Sequence, residues 1–300
     1  MTSSAGPLSP TPEDLVVTRA TPEDWPVVTA WAADEGWNPG LSDSAGFFAQ
    51  DPEGFFIGRV SGEPVSAISV VNYGDAYAFL GFYLVRPDLR GRGYGITTWK
   101  TALAHAGTRT VGLDGVVAQQ DNYRRSGFEP AHRTLRFTGT APAAVPPARV
   151  RPVRREDLAA IAVYDAGCTP ADRPRFLEYW LTGPGHRAFV READADGSAG
   201  GPANRAVTGY GVVRPGRDAY RIGPLFADTV DDARALFAAL TGEAAGADVA
   251  IDVPETNAAA VAMVEEAGFA PSFETARMYT GPVREFARER VFGVTTLELG

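Results

Sequence analysis

The sequence predicts an α/β fold built as two similar domains in tandem. Its 300 residues suit two domains of ordinary size, and 45% apolar with 22% charged residues is typical of globular proteins. Strand-like apolar runs alternate with segments of helical period along the chain. The halves also begin alike, with a short strand, a turn and an acidic pair near residues 15 and 148, and they close alike, with a Gly-Phe pair at 127 and at 268.

Two segments of biased composition mark the domain boundaries. Residues 1–12, MTSSAGPLSPTP, have neither a basic start nor an apolar run, which is typical of a disordered lead rather than a signal peptide. The segment GTAPAAVPPARV, at 139–150, is rich in Pro and Ala and suits a short, semi-rigid linker. We therefore expect a first domain over 13–139, a linker over 140–149 and a second domain over 150–300.

The net charge and the cysteine count restrict the partners and the compartment. A formal charge of -9 argues against nucleic acid or an anionic membrane as a partner, since both attract basic surfaces. Any anion must therefore be held by a local site. Cys168 is the only cysteine, so no intramolecular disulfide can form, and a lone cysteine is more typical of a small buried apolar residue than of a reactive thiol. No stretch of membrane-spanning length lacks charges, and we expect a cytoplasmic protein.

The first half contains the clearest secondary-structure signals. Residues 54–74 predict two strands joined by a Ser-Gly turn, and the apolar run AYAFLGFYLV at 76–85 predicts a strand buried on both faces, ended by Pro87. A helix follows from residue 94 to a left-handed cap at Gly107, and residues 110–117 predict another buried strand. Ile96, Trp99 and Leu103 are predicted to lie on one stripe of this helix.

The turn between the strand at 76–85 and the helix, VRPDLRGRGYG at 85–95, predicts an anion site. A strand, a glycine-rich turn and a helix start direct unpaired amides and the positive end of the helix dipole at one point. Glycines allow a diphosphate to approach the backbone, and Arg90 and Arg92 add charge and bidentate hydrogen bonds. The alternative is a solvated turn whose arginines only aid solubility. The pattern matches neither a P-loop nor the dinucleotide motif G-x-G-x-x-G.

This turn resembles the acyl-CoA signature of the GNAT acetyltransferase superfamily, a valine at a strand end followed by x-Pro-x-x-[Arg/Gln]-Gly-x-Gly-x-[Gly/Ala]. The matching residues are Val85, Pro87, Arg90, Gly91, Gly93 and Gly95. The resemblance covers most of the chain and implies a tandem protein of this superfamily, with a mixed, largely antiparallel sheet flanked by helices and a splayed strand pair for acyl-CoA in each domain. It implies acetyl-CoA as acyl donor and no metal. The implied cofactor-binding residues are Leu84, Val85, Arg90, Gly91, Arg92, Gly93, Tyr94, Gly95 and Ile96.

A tyrosine stands four residues before the Gly-Phe pair of the first half, as is common in the superfamily. This is Tyr123, and the resemblance implies that its hydroxyl protonates the departing thiolate. The chemistry is reasonable because a phenol with a pKa of about 10 can donate to a thiolate whose conjugate acid has a pKa of about 8.5. The alternative is a packed tyrosine whose hydroxyl lies in solvent.

The second half keeps the predicted order of strands and helices but lacks the residues of the predicted anion site. Where the first half has glycines and arginines, it has Asp228, Asp231 and Asp232, and carboxylates there would repel a pyrophosphate. Thr229 and Asp232 predict a capping box at the helix start, while Val264 stands in the tyrosine position. We therefore expect a degenerate second domain that stabilises the first or walls off its acceptor pocket.

Acetyl transfer to an amine needs a base for the ammonium proton, and the acceptor side offers two candidates. Glu35 lies at the end of the first predicted helix, just before GWNPG, a region that faces the acceptor in the superfamily. We expect Glu35, Trp37 and Asn38 to bind substrate there, with Glu35 or Asp114 acting as a catalytic base. The alternative for this loop is a solvated helix end with a packed tryptophan. None of the three histidines has metal-ligand spacing.

Together these observations predict an N-acetyltransferase that acts on a primary amine of a small molecule by direct attack on the thioester. Two alternatives stay open: acetylation of a protein lysine or N-terminus, and a non-catalytic acyl-CoA-binding module. We expect a monomer or homodimer with a small-molecule partner. The sequence does not identify the acceptor.

Overall fold

The computed structural model describes residues 14–144, 146–193 and 206–300. The disordered lead expected at 1–12 lies outside the described residues. The first half forms β1 (Leu15–Arg19), α1 (Trp25–Asp34), α2 (Asp43–Gln50), β2 (Phe55–Val60), β3 (Glu63–Tyr73), β4 (Tyr77–Val85), α3 (Tyr94–Leu103), β5 (Thr110–Val116), α4 (Gln120–Arg125) and β6 (Glu129–Thr140).

The second half repeats this order of elements. It forms β7 (Val150–Pro152), α5 (Leu158–Ala166), α6 (Pro174–Thr182), β8 (Arg187–Glu192), β9 (Val207–Arg214), β10 (Tyr220–Ala227), α7 (Val230–Gly242), β11 (Asp248–Pro254), α8 (Ala258–Glu266), β12 (Ala270–Tyr279) and β13 (Val291–Gly293). Residues 141–144 and 146–149, in the segment expected as a linker, belong to no helix or strand.

The strands of both halves form one continuous mixed sheet flanked by helices. Its order is β1-β2-β3-β4-β5-β12-β6-β11-β10-β9-β8-β7, with β13 paired to β10. The sixth strand of each half is thus exchanged: β12 lies against β5 of the first half, and β6 lies against β11 of the second. The two exchanged strands pair with each other at the centre. No pattern within either half reveals this exchange, because it depends on which of two similar edges each strand meets.

Most of the local predictions for the first half hold, and the departures lie on α3 and just after it. Ser61 and Gly62 join β2 to β3 with positive φ angles of 52° and 85°, as a two-residue hairpin turn requires. Trp99 is buried, whereas Ile96 is 43% exposed, so the predicted stripe is not buried along its whole length. Ile96 lies in the first turn of α3, which borders a cavity rather than the core. Gly107 has a positive φ of 61° but a ψ of -123°, outside the left-handed helical region, so the predicted left-handed cap was wrong.

A shared aromatic core joins the two halves on one face of the sheet. Phe47 of α2 stacks on Trp180 of α6 with ring centroids 5.9 Å apart, and Trp25 packs edge-on against Phe82 at 5.4 Å. All four rings are buried. Burial of side chains this large is a main source of stability, so each half stabilises the other.

A buried ion pair lies beside this core and also connects the halves. Nε of Arg214, on β9, donates to the Asp43 carboxylate at 2.7 Å, and the backbone N–H of Gly40 donates to the same carboxylate at 3.1 Å. Burial by itself raises the pKa of Asp43, but Arg214 and His186 outweigh it and lower the pKa to about 2. The carboxylate is therefore charged in the folded protein at neutral pH.

Candidate active site

A cavity of about 630 Å³ opens where β4 and β5 separate. The two strands pair in parallel only as far as Leu80 and Leu113, although β4 continues to Val85 and β5 to Val116. Beyond this point β4 stays paired with β3 and β5 with β12, so a gap lies between them. The exposed backbone edge of β4 can therefore pair with an extended ligand.

A β-bulge directs the end of β4 away from β5. The register between β3 and β4 shifts between Ala67 and Ser69, and Phe82, opposite the shift, has a positive φ of 47°. The ring of Phe82 is buried in the aromatic core. Bulges bend the strand that carries them, and here the bend sends Leu84 and Val85 along the cavity wall.

The arginine-glycine turn lies at the mouth of this gap and leads directly into α3. Gly91 and Gly93 have φ angles of 79° and 85°, a region that favours glycine, and Gly93 is the N-cap of α3. No side chain caps this helix start, so its first amides remain available to a ligand. A Cβ on Gly95 would lie 2.6 Å from the Tyr83 hydroxyl, which shows why glycine is needed for the helix to approach β4.

The two arginines of the turn have different surroundings. Nε of Arg90 donates to the Val85 carbonyl at 3.1 Å, and its Nη2 is ion-paired with the Glu35 carboxylate. Arg90 and Glu35 both line the cavity. Arg92 is exposed to solvent and does not line the cavity. The structure thus links the predicted anion turn to the predicted acceptor loop through one ion pair.

Tyr123, on α4, also lines the cavity. Its ring stacks on Trp99 at 5.7 Å, and Gly115 leaves room for it, since a Cβ there would lie 2.8 Å from the tyrosine ring. Tyr83, which sequence reasoning did not single out, packs edge-on against the same tryptophan at 5.1 Å. Burial raises the pKa of Tyr123 well above its usual value and that of Tyr83 to about 12, so both phenols are protonated at neutral pH.

Asp114 also lines the cavity, at the point where β5 leaves β4. Both of its carboxylate oxygens are bonded to Arg277 of β12, at 3.0 and 2.7 Å, in a bidentate pair. Asp114 and Arg277 are both almost fully buried. This pair fastens the exchanged strand β12 to β5.

The acceptor loop that follows α1 places two predicted substrate residues differently. Trp37 lines the cavity, and its carbonyl accepts a hydrogen bond from Arg136 at 2.7 Å. Asn38, expected at the substrate, lies instead outside the cavity with a left-handed φ of 49°. Its Nδ2 donates to the carbonyl of Ala219, and its Oδ1 accepts from the N–H of Asp218. Because both amide atoms are bonded to the second half, Asn38 fixes the loop.

The second half supplies a wall that sequence reasoning missed. Phe273 and Thr275 of β12 line the cavity, together with Leu297 and Glu298 near the C-terminus. Glu298 is 3% exposed. These residues face the site only because β12 and the last residues of the chain cross from the second half to the first. No local sequence signal could have found them.

In the second half the corresponding gap is filled by the chain itself. The strands β10 and β11 pair in parallel only over Tyr220–Ile222 and Val249–Ile251, as β4 and β5 do at the start of the first gap. Here β13 pairs with β10 beyond that point. At the α7 start, the N-cap Thr229 accepts from the N–H of Asp232, which is the first of the two bonds of the predicted capping box. The Asp232 carboxylate accepts from the Thr229 hydroxyl rather than from its backbone N–H, so the second bond of the box is replaced. Val264 is buried in the core.

The residues of the first gap fit a diphosphate carried on an extended chain. The glycines with positive φ allow a diphosphate to approach the backbone, and the uncapped amides at the start of α3 can donate hydrogen bonds to it. The unpaired edge of β4 can form backbone hydrogen bonds with the extended chain. Within residues 14–144, 146–193 and 206–300, no cluster of His, Cys, Asp or Glu side chains could hold a metal ion. Among the helices of these same segments, none is long and apolar enough to cross a bilayer.

Comparisons with known proteins agree with this geometry. The profile of the Acetyltransferase (GNAT) family matches residues 17–128, and that of an Acetyltransferase (GNAT) domain matches residues 161–293. A holothin acyltransferase from Pseudoalteromonas sp. (strain SANK 73390) is 36% identical over 283 residues, which are 94% of this chain and 93% of that protein.

Two solved structures share the fold over most of the chain. A proposed acetyltransferase from Pyrococcus horikoshii has a TM-score of 0.80 at 21% identity, with 99% of each chain covered. A tandem GNAT protein from the clavulanic acid biosynthesis pathway has a TM-score of 0.60 at 19% identity, covering 89% of this chain and 99% of that one. With a GNAT match in each half and a relative that aligns over almost the whole length, the chain belongs to the GNAT acetyltransferase family as a tandem two-domain acyltransferase.

Proposed function

We propose that this protein transfers an acetyl group from acetyl-CoA to a primary amine of a small molecule, by direct attack of the amine on the thioester. GNAT acyltransferases use acyl-CoA, and the first half carries the matching site. The observation that carries the proposal is the cavity at the gap between β4 and β5, which is lined both by the anion turn and by Glu35 and Trp37 of the acceptor loop.

The cofactor is assigned to the turn and the edge of β4. The amides of residues 90–96 and the start of α3 would hold the pyrophosphate, with charge from Arg90 and Arg92. The end of β4 at Leu84 and Val85 would pair with the pantetheine arm, and Tyr94 and Ile96 would border it. When bound, acetyl-CoA supplies an acetyl group already activated as a thioester.

The proposed proton donor to the departing sulfur is the hydroxyl of Tyr123. This hydroxyl belongs to a buried ring that lines the cavity, and its raised pKa keeps the proton in place until the sulfur develops charge. The stack on Trp99 holds the ring in position.

The cavity favours a small acceptor. Its volume is 630 Å³, within the range of about 300–1,000 Å³ common for small-molecule sites. The second half contributes Phe273 and Leu297 to the lining of the same cavity. Trp37 would supply an apolar wall and Glu35 a carboxylate near the amine. The relative's name adds holothin as a first acceptor to try.

The first test is a calorimetric titration with acetyl-CoA, followed by mass spectrometry of mixtures with primary amines, holothin among them. We expect one binding site per chain and a product heavier by one acetyl group. Two sites would mean that the second half also binds the cofactor. Binding without acetylation of any amine would favour a non-catalytic module, and acetylation of peptides alone would favour a protein acceptor.

A further inference from the structure

The last residues of the chain, 294–300, form a C-terminal tail that crosses from the second half to the cavity of the first. The N–H of Val294 donates to the Asp252 carbonyl at 2.9 Å, and Arg173 donates to the Thr295 hydroxyl at 2.7 Å. Farther along, the Tyr73 hydroxyl donates to the Leu299 carbonyl at 2.9 Å. Contacts with both halves therefore hold the tail in one path.

A local turn in the tail sets the position of Glu298. The Thr296 hydroxyl accepts hydrogen bonds from the N–H groups of Glu298 and Leu299, at 3.2 and 2.8 Å. The Glu298 carbonyl lies directly against Gly81, at the point where β4 and β5 separate. Glu298 is thus placed at the inner end of the gap, opposite the arginine-glycine turn at its mouth.

Of the three carboxylates that line the cavity, only Glu298 has no partner among the described residues. Glu35 is paired with Arg90, and Asp114 is paired at both oxygens with Arg277. No hydrogen bond or ion pair engages the Glu298 carboxylate within residues 14–144, 146–193 and 206–300, although Glu298 is 97% buried. A buried carboxyl without a partner is costly, which is typical of a group kept for a ligand.

The charges around Glu298 come from four other elements. Burial is the largest influence and raises the pKa of Glu298; Arg221 on β10 and Arg136 on β6 oppose it, while Asp252 on β11 and Asp43 on α2 add to it. Together these influences raise the pKa of Glu298. The two arginines are themselves bonded to Asp252, so they do not neutralise Glu298 directly.

We propose that the Glu298 carboxylate binds the ammonium group of the acceptor and removes its proton. This inference rests on the proposed function. It moves the role of base from Glu35 and Asp114, whose carboxylates are held by arginines, to a residue contributed by the second half of the chain.

The proton and electron balance of the step is complete within the site. One ammonium proton passes to a Glu298 carboxylate oxygen, which frees the nitrogen lone pair. The lone pair forms the new bond to the acetyl carbon as the carbon–sulfur bond breaks, and the sulfur leaves with that electron pair. Tyr123 protonates the sulfur, and the nitrogen loses its second proton to water as the amide forms. The proton taken up by Glu298 then replaces, through solvent, the one that Tyr123 gave up, which leaves one proton released to water per turnover. No oxidant, reductant or metal takes part.

The test compares wild type with Glu298→Gln across pH, with acetyl-CoA and the best primary amine from the acceptor screen. Without the carboxylate, only amine that is already neutral can react. We therefore expect kcat/KM of Glu298→Gln to be lower by about 100-fold or more near neutral pH. The deficit should shrink by about tenfold per pH unit as the pH approaches the pKa of the amine. The Kd for acetyl-CoA should stay unchanged.

Two matched variants separate a base from a structural residue. Glu298→Asp keeps the carboxylate and should retain part of the wild-type pH profile. Glu285→Gln removes an exposed carboxylate earlier in the same C-terminal region and should behave as wild type. A deficit in Glu298→Gln that stays constant at every pH, or no deficit at all, would overturn the inference and leave the proposed function intact.

A second measurement needs no turnover. Carbon-13 NMR of glutamate-labelled protein, with Glu298→Gln to assign the signal, should show the Glu298 carboxyl titrating above the ordinary glutamate value of about 4.3. Titration at the ordinary value would contradict an unpartnered buried carboxyl. If wild type binds acetyl-CoA but acetylates no amine, the proposed function fails, and this inference fails with it.

Discussion

The Glu298 carbonyl oxygen and the α-carbon of Gly81 are in close contact where β4 and β5 separate. A Cβ on Gly81 would lie 2.0 Å from that oxygen, far inside any real contact. Gly81→Ala should therefore push the C-terminal tail out of place and lower the free energy of unfolding by about 1–3 kcal/mol. Urea unfolding measures this. Gly46→Ala, where the nearest atom would lie at 3.4 Å, is the matched control and should not destabilise.

Tyr123→Phe tests the proton donor without disturbing the packing. The stack on Trp99 needs only the ring, so the fold and the Kd for acetyl-CoA should be preserved. Loss of the hydroxyl should lower kcat by about 100-fold or more. Steady-state kinetics of Tyr123→Phe measures this loss of kcat. The control is Tyr179→Phe, which removes the hydroxyl of a tyrosine on α6 that is 52% exposed. Full activity of Tyr123→Phe would remove the tyrosine from the proposed chemistry.

Arg90→Ala and Arg92→Ala should each weaken the binding of acetyl-CoA. A lost charge-assisted hydrogen bond to a phosphate costs about 1.5–3 kcal/mol, which is roughly a tenfold or larger increase in Kd. The loss should be greatest at low ionic strength. Calorimetry in two salt concentrations measures it, with Arg234→Ala on the second half as control. Unchanged affinity in both variants would argue against the anion turn.

The Arg90–Glu35 pair allows a separate test of this turn. Glu35→Gln releases Arg90 from its ion pair. Because the pair is partly exposed, the free energy of unfolding should change by less than about 1 kcal/mol. Acetyl-CoA should bind as tightly as in wild type or more tightly, since a nearby negative charge is gone. Weaker binding would mean that Glu35 is needed to position Arg90.

Asp43→Asn should destabilise the protein by about 3–5 kcal/mol at neutral pH, because it leaves the buried Arg214 without its partner. Folding lowers the pKa of Asp43 from 3.8 to about 2, so the charged form stabilises the fold. That contribution, about 2 kcal/mol, is complete above pH 4 and is lost as the pH falls toward 2. The difference in free energy of unfolding between wild type and Asp43→Asn should therefore become smaller as the pH falls below 4.

Urea unfolding at several pH values between 3 and 7 measures this narrowing. The control is Asp75→Asn, at a fully exposed carboxylate, which should match wild type throughout. A difference that stays constant over the whole range would mean that the carboxylate's charge does not stabilise the fold.

Neither half should fold alone. A fragment of residues 1–140 would contain β6 without either of its partners, since β6 pairs only with β11 and β12. It would also expose the edge of β5 that β12 covers. Circular dichroism and sedimentation should show an unfolded or aggregated fragment, and co-expression with residues 141–300 should restore a folded complex. A stable monomeric fragment would contradict the exchange of strands.

The sequence by itself determined the features that depend on neighbouring residues. The hairpin at Ser61–Gly62, the strand at 77–85, the start of α3 and its glycine turn all follow from local periodicity and turn chemistry. The acyl-CoA signature lies within eleven consecutive residues, so the sequence alone pointed to the turn that we propose as the cofactor site. The aspartates at the corresponding turn likewise indicated that the second half had diverged.

Only the tertiary structure decided which distant residues meet around the cavity. Glu35 and Arg90 are far apart in the chain, as are Asp114 and Arg277, and no spacing predicts that they pair. The exchange of β6 and β12, and the path of the tail that brings Glu298 to Gly81, are chosen among similar edges by packing over the whole molecule. Local sequence patterns do not predict such contacts, because the free energy that favours them comes from packing between residues that are brought together only by folding.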